Sequence, residues 1–127
     1  MIVIIAGSRN IDDYPLVCEV VEYLGWDITR IMCGMAEGVD MNGKRYGDEH
    51  GIPVDEYPAI WRPNGILDPD AGKKRNILMG DLSHALIAIT KGTPGTRHMI
   101  QYMKSLKKLV HVHEYGQPVK TGLLDLM

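Results

Sequence analysis

Phenylalanine is absent from this 127-residue chain, and only two cysteines and two tryptophans are present. Without Phe, the interior has to be filled by aliphatic residues, tyrosine and eight methionines, whose flexible thioethers adapt to irregular gaps. Cys18 and Cys33 match no zinc or C-x-x-C spacing and sit in apolar segments, so they read as buried free thiols rather than a disulfide. No apolar run approaches the ~18 residues of a membrane span. The N-terminus starts directly with a strand-like run, without the basic, apolar and small-residue succession of a secretory signal. A reduced, cytoplasmic setting is expected. Charge of one sign is also lacking: the formal net charge is −2, which argues against nucleic-acid binding by bulk electrostatics. Local basic clusters remain at Lys73, Lys74 and Arg75, and at Lys104, Lys107 and Lys108.

The length and the 45% hydrophobic content suit one domain, 1–127, with one core. Ile2 to Ala6 is a short, continuous, β-branched run, as expected of a strand buried on both faces. Asp12 and Asp13 before Tyr14-Pro15 start a helix with an apolar stripe of Leu16, Val17, Val20, Val21 and Leu24, closed by Gly25. Thr29 to Cys33 is a second strand. A helix from about Gly38 to His50 follows, with Val39, Gly43, Tyr46 and Gly47 inward; its glycines would let it lie close to a sheet. Pro53 to Tyr57 is a third strand, and residues 58–72 form a long Pro- and Gly-rich loop of the kind that is usually functional. Next come a helix over 73–82, a strand over 84–90, a tight turn at Gly92 to Thr96, a helix to about Leu106, a strand over 109–113 and a weak helical end at Leu123 to Met127. This alternation predicts a Rossmann-like three-layer α/β sandwich with a mainly parallel five-stranded sheet.

In such sheets ligands bind beyond the carboxyl ends of the strands. Glycine-bearing turns fall at that edge: Gly7-Ser8-Arg9, Gly34 to Gly38, the long loop, and Gly92 to Thr96. The last of these precedes a helix whose free N–H groups and positive dipole end suit a phosphate, with Thr93 and Thr96 as added donors. An ordinary turn with a Thr cap explains the same residues. Asp40 either serves a ligand or simply caps its helix. The glycines follow no G-x-G-x-x-G fingerprint and no acidic residue ends the second strand, so no redox enzyme, cofactor or metal site is expected. Arg75 shares a helical face with Leu78, Met79 and Leu82. It contacts a phosphate or carboxylate with its planar fork, or it pairs internally with Asp40 or Asp81. Arg9 has a similar case, while Lys73 and Lys74 read as solvated. Trp61 stacks on a base or anchors the loop. His98 is a candidate donor or acid–base group. His111 and His113 alternate on one strand and are too few for a metal site.

Four elements in order carry a family resemblance: Ile4 to Arg9; Cys33 to Asp40, a Gly-Gly-Ala-x-Gly-x-Asp pattern with Cys33 in place of the first Gly; Trp61, then Ala71 to Asn76 with Met79, an Ala-Gly-x-x-Arg-Asn-x-x-Met element; and Gly95 to Met99. Together, from Ile2 to about Val112, they resemble the YspA-related branch of the SLOG superfamily, which also holds the lonely-guy phosphoribohydrolases and the DprA-type DNA-processing proteins. The resemblance implies a Rossmann-like fold and a nucleotide pocket touched by Gly7, Ser8, Arg9, Gly34, Gly38, Asp40, Arg75, Asn76, Gly95 and Thr96. To these the turn and loop readings add Gly92, Thr93 and Trp61. Lonely-guy enzymes carry a catalytic glutamate after the Gly-Thr pair; here Arg97-His98-Met99 stands there, and the carboxylate is missing. A nucleotide or nucleotide-derived small molecule is therefore the expected partner, held by a sensor or sequestering module. The alternative is a hydrolase or transferase at the N-glycosidic bond of a nucleoside 5′-monophosphate, with Asp40, Glu37 or His98 supplying the chemistry. A further alternative is a single-stranded DNA or protein partner. A homodimer through an exposed Met- and Tyr-bearing helix face is expected.

Overall fold

The computed structural model describes residues 1–119. The elements follow in the order β1 (Ile2–Gly7), α1 (Tyr14–Leu24), β2 (Arg30–Cys33), α2 (Val39–His50), β3 (Val54–Glu56), α3 (Ala71–Leu82), β4 (Ala85–Thr90), α4 (Pro94–Ser105) and β5 (Leu109–Glu114). A single 3-10 turn at Pro63–Gly65 interrupts the long loop. The five strands form one sheet in the order β3-β2-β1-β4-β5, and every pairing is parallel. The α/β Rossmann-like arrangement is thus present. The weak helical end at Leu123 to Met127 lies outside the described residues.

Alternation along β1 and its neighbours divides the core. Val3, Ile5, Ile31, Ile87 and Ile89 face the layer of α1 and α2. Ile4, Met32, Leu86 and Ala88 face Met79, Met99 and Met103 of α3 and α4. Each fully buried aliphatic side chain contributes about 1.5–3 kcal/mol. Asp13 caps α1, its carboxylate accepting the Leu16 N–H at 3.1 Å, and Gly25 closes that helix in a left-handed turn at φ 61°. Gly43 and Gly47 lay α2 against the sheet: a Cβ on Gly43 would stand 2.8 Å from Ile5 carbons, and one on Gly47 2.5 Å from Val54.

Several expectations need correction. The face of α3 that turns inward carries Ala71, Asn76, Met79 and Gly80, while Leu78 and Leu82 point outward with Ile77. Small residues win because Gly80 lets the Tyr102 ring of α4 approach; a Cβ there would stand 2.7 Å from the ring. In α4, Met99 and Met103 are buried, but Leu106 is at the surface. Both cysteines are free, Cys33 buried and Cys18 only half-buried. Lys108 is not part of a solvated patch. Its ammonium donates to the carbonyls of Gly80, Asp81 and Ser83 at 2.7, 3.1 and 2.7 Å and so caps the C-terminus of α3. Among the described residues no helix is long and apolar enough to cross a membrane.

The chain crosses from β1 to β2 on one side and reaches β4 on the other, so the order reverses between β1 and β4. There Gly7 pairs with Ile89, and a Cβ on Gly7 would lie 2.0 Å from the Ile89 carbonyl oxygen and 2.8 Å from Val39 of α2. Gly7→Ala is expected to cost roughly 3 kcal/mol or more, because backbone rather than a mobile side chain must yield. Gly95→Ala, with nothing within 4 Å of the added carbon, is expected to change stability by under about 1 kcal/mol. Urea unfolding of both variants checks this, and a Gly7→Ala protein as stable as the parent would contradict it.

Candidate functional site

The crevice between β1 and β4 is closed below by hydroxyl groups. Ser8 is buried, its N–H donating to the Ile89 carbonyl at 3.2 Å. Its Oγ accepts the Lys91 N–H at 3.0 Å and lies 3.0 Å from Thr93 Oγ1. Thr93 donates onward to Thr96 Oγ1 at 3.1 Å, so Thr93 has to accept from Ser8. The chain of hydroxyls runs Ser8, Thr93, Thr96, and among the described residues the Thr96 hydroxyl donates to no further group. The Gly92 N–H donates to Thr90 Oγ1 at 2.8 Å, and Arg97 donates to the Gly92 carbonyl at 2.6 Å. The turn after β1 and the turn before α4 are therefore latched together.

The turn after β2 docks from the other side. Gly38 has φ +77° and is packed against the carbonyls of Ser8, Arg9 and Ile11, where only a residue without a side chain fits. Met35 in the same turn also takes a left-handed φ of 63°, an uncommon conformation for a residue with a side chain. The turn delivers Asp40, only 5% exposed, to the end of β1. Its carboxylate accepts N–H bonds from Gly7 at 3.3 Å and Ala36 at 3.4 Å. Burial pushes the Asp40 carboxyl up to about 6, against the opposing pull of Arg75, the Gly7 and Ala36 N–H groups and Arg9. Arg75 reaches in from α3 and donates through Nη1 to the Gly34 carbonyl and, at 3.5 Å, to that of Tyr57. Burial lowers its pKa while Asp40 raises it. Gly34 makes room for both charges: a Cβ there would stand 2.6 Å from Arg75 Nη1 and 2.8 Å from Asp40 Oδ2. No ion pair joins Arg75 to Asp40 or to Asp81 among the described residues; Asp81 accepts the Tyr102 hydroxyl at 2.5 Å instead. Below this pair, burial holds the Cys33 thiol up at about 11, so it is protonated at neutral pH.

Asn76, beside Arg75, ties three walls together. Its Oδ1 accepts from Arg75 Nε at 3.0 Å, which fixes the orientation of the amide because Arg75 can only donate. Its Nδ2 then faces the Gly95 carbonyl and His98 Nδ1, both at 3.2 Å. His98 Nδ1 is thereby an acceptor and the ring proton sits on Nε2. Burial, with the charge of Lys73, lowers the His98 pKa and keeps the ring neutral at pH 7.

These parts enclose a pocket of about 440 Å³. Of the residues expected at a ligand site, Gly7, Arg9, Asp40, Trp61, Arg75, Asn76, Thr93, Gly95, Thr96 and His98 line it. Ser8, Gly34, Gly38 and Gly92 support the wall from behind and do not line it, and Glu37 is exposed outside it. The structure adds Asn10 and Ala36 from the turns, Pro69 from the loop, and Gly72 and Lys73 from the start of α3. Lys73 is exposed, as its solvated reading from sequence expects, and lies at the pocket's edge. Lys74 is held by Asp68 at 2.6 Å. Trp61 packs over Gly72, whose absent side chain would stand 3.3 Å from the indole.

The chain's first half, from β1 to the residues after Trp61, is the part that a known family's model describes. Residues 1–63 match the model of the YspA, cpYpsA-related SLOG family. The SLOG match contains both turns that carry Gly7 to Arg9 and Gly34 to Asp40, and it connects the chain with nucleotide-related function in general. Arg75, Asn76, Gly95, Thr96 and His98 lie beyond the SLOG match and are joined to it by the contacts described above. Comparisons with curated proteins and with solved structures found no match.

Two predictions follow from the charges. Asp40 has a folded pKa above its unfolded value, so between about pH 4 and pH 6 the folded state holds more protons than the unfolded one, and stability falls as pH rises through this window. The loss is on the order of 3 kcal/mol and is complete above the folded pKa. Unfolding measured across that range is expected to show this decline in the parent and not in Asp40→Asn. Nitrogen NMR of the histidine rings is expected to show His98 as the Nε2–H tautomer at pH 7 and to show that preference lost in Asn76→Ala. An unchanged tautomer in that variant would remove Asn76 from the role.

Proposed function

We propose that this chain binds a nucleotide or nucleotide-derived phosphate ligand, as a sensor or sequestering module of a reduced, cytoplasmic setting. The observation that carries this reading is the charge arrangement at the β1/β4 crevice. Arg9, Lys73 and Arg75 converge on a pocket whose carboxylate, Asp40, has its negative charge disfavoured by burial. The first turn of α4 adds the unpaired N–H groups of Gly95 and Thr96 and the positive end of a helix dipole, while Pro94 has no N–H to lose. The Thr96 hydroxyl is an additional donor. Trp61, 40% exposed at the rim, offers an aromatic face to a base. The volume suits one small ligand and not a strand of nucleic acid, which would need a longer basic groove with several aromatic platforms.

One observation favours a second reading. A buried carboxyl with a pKa of about 6 is poised for acid–base work near neutral pH, so Asp40 could serve cleavage of an N-glycosidic bond. That chemistry usually engages two carboxylates, and Glu37 is outside the pocket. Binding without turnover therefore stands first.

Incubation of the protein with a nucleotide panel, followed by mass spectrometry of bound ligand and products, separates the two. Binding of an intact nucleotide, weakened about a hundredfold in Arg75→Ala, is the expected outcome. Release of a free base and a sugar phosphate, abolished in Asp40→Asn while binding persists, would replace the sensor reading with the enzymatic one. A panel in which nothing binds would remove both.

A further inference from the structure

Asp40 is a buried carboxylate that the chain itself leaves short of donors. It is the one acidic residue among the described residues that line the pocket, and it is 5% exposed. It joins no ion pair among those residues, because Arg75 directs its N–H groups to the Gly34 and Tyr57 carbonyls and to Asn76. Its oxygens accept from the Gly7 and Ala36 N–H groups at 3.3 and 3.4 Å, both longer than the usual range for such bonds. An ionised carboxylate offers about four lone-pair sites and no proton. With a pKa of about 6, Asp40 is in that form at pH 8. A phosphate brings acceptors and negative charge and so does not belong beside it. The group that suits the place is a donor that carries no charge into a buried site.

We infer that Asp40 accepts the 2′- and 3′-hydroxyls of the ligand's ribose, so that the pocket selects ribonucleotides over deoxyribonucleotides. This assignment rests on the proposed nucleotide binding and adds to it the sugar and the residue that reads it. The other parts of the pocket leave the sugar for this place. Donors for a phosphate stand in the first turn of α4, at Gly95 and Thr96, with Lys73 at the edge. The aromatic face is that of Trp61, at the rim over Gly72. Asp40 belongs to neither group and lies deep, beside Gly7 at the end of β1. In a nucleotide the sugar connects base and phosphate, and its vicinal hydroxyls are neutral donors spaced to meet the two oxygens of one carboxylate. A ligand that lacks one hydroxyl leaves a buried, charged oxygen without its donor, and a site built to bond a hydroxyl rejects such an analogue more strongly than an apolar site rejects a missing methylene.

Titration calorimetry of the full chain at pH 8 tests this, with the 5′-monophosphates of the four common bases, each as the ribose, 2′-deoxy and 3′-deoxy form. The parent is expected to bind the ribose form about tenfold or more tightly than either deoxy form. In Asp40→Ala that ratio is expected to fall to near one. Lys73→Ala is expected to weaken all three forms alike and to keep the ratio. A variant that merely damages the pocket lowers the affinities together, so the ratio isolates the contact with the hydroxyls. If Asp40→Ala fails to fold, the nearly isosteric Asp40→Asn, which keeps one acceptor, is expected to reduce the ratio in the same direction. Equal binding of the three forms by the parent, a ratio that persists in the Asp40 variants, or discrimination that follows the base and not the sugar would each overturn the inference while nucleotide binding stands. A parent that binds no nucleotide of any form would remove the nucleotide reading itself, and the sugar assignment with it.

Discussion

The site depends on the absence of a side chain at Gly7. Its Cα sits between the Ile89 carbonyl of β4 and Val39 of α2, in a gap where a Cβ would lie 2.0 Å from backbone oxygen. That close approach places the start of α2 directly over the end of β1. The Asp40 carboxylate can then reach the Gly7 N–H, and the Ser8 N–H can reach Ile89. The turn after β2 follows because Gly38 must nest among the Ser8, Arg9 and Ile11 carbonyls. The latch from Ser8 to Thr93 and Thr96 then draws in the start of α4. One missing methyl group thus sets the distances among three turns that belong to distant parts of the chain.

Electrostatics at the site is governed by burial rather than by attraction. Asp40 is raised although Arg75 and Arg9 pull it down, and Arg75 is lowered although Asp40 pulls it up. Both partners are shifted toward their neutral forms, as expected where desolvation exceeds the Coulombic gain of a separated pair. The missing side chain at Gly34 lets both groups into the space a Cβ would fill, although they form no ion pair there among the described residues. Arg75 is instead satisfied by the Gly34 carbonyl and by the amide of Asn76. The pocket is therefore locally cationic in a chain of net charge −2, and the overall charge is a poor guide to it.

Much of the fold is legible from sequence because β1 and β4 are short apolar runs, β2 is one after Arg30, and the helices between them are punctuated by Gly, Pro and Asp. The site turns are legible for the same reason, since glycine clusters after strands mark close backbone approach. Three features are not. The orientation of α3 defeats periodicity, because bulky residues occupy its outward face and Ala71, Met79 and Gly80 its inward one; packing follows the fit against Tyr102 and not the larger hydrophobic stripe. Lys73 is exposed and yet lines the pocket, because the loop before α3 and the turn before α4 meet beside it, which no local pattern records. The role of His98 is set by Asn76, which belongs to another helix, and no local pattern records a contact between residues so far apart in sequence.

These exceptions concentrate on α3. Its first two turns carry Lys73, Arg75 and Asn76 to the pocket, its inward face is thinned to admit α4, and its outward face keeps Ile77, Leu78 and Leu82 in water. A helix that served only to cover the sheet would have its large residues inward and its polar residues outward. Here the inward face is chosen for close contact with Tyr102 and Met99, and the polar residues are gathered at the N-terminal end. That distribution follows the close fit of Gly80 against the Tyr102 ring at one end and the needs of the pocket at the other, and not the larger hydrophobic stripe.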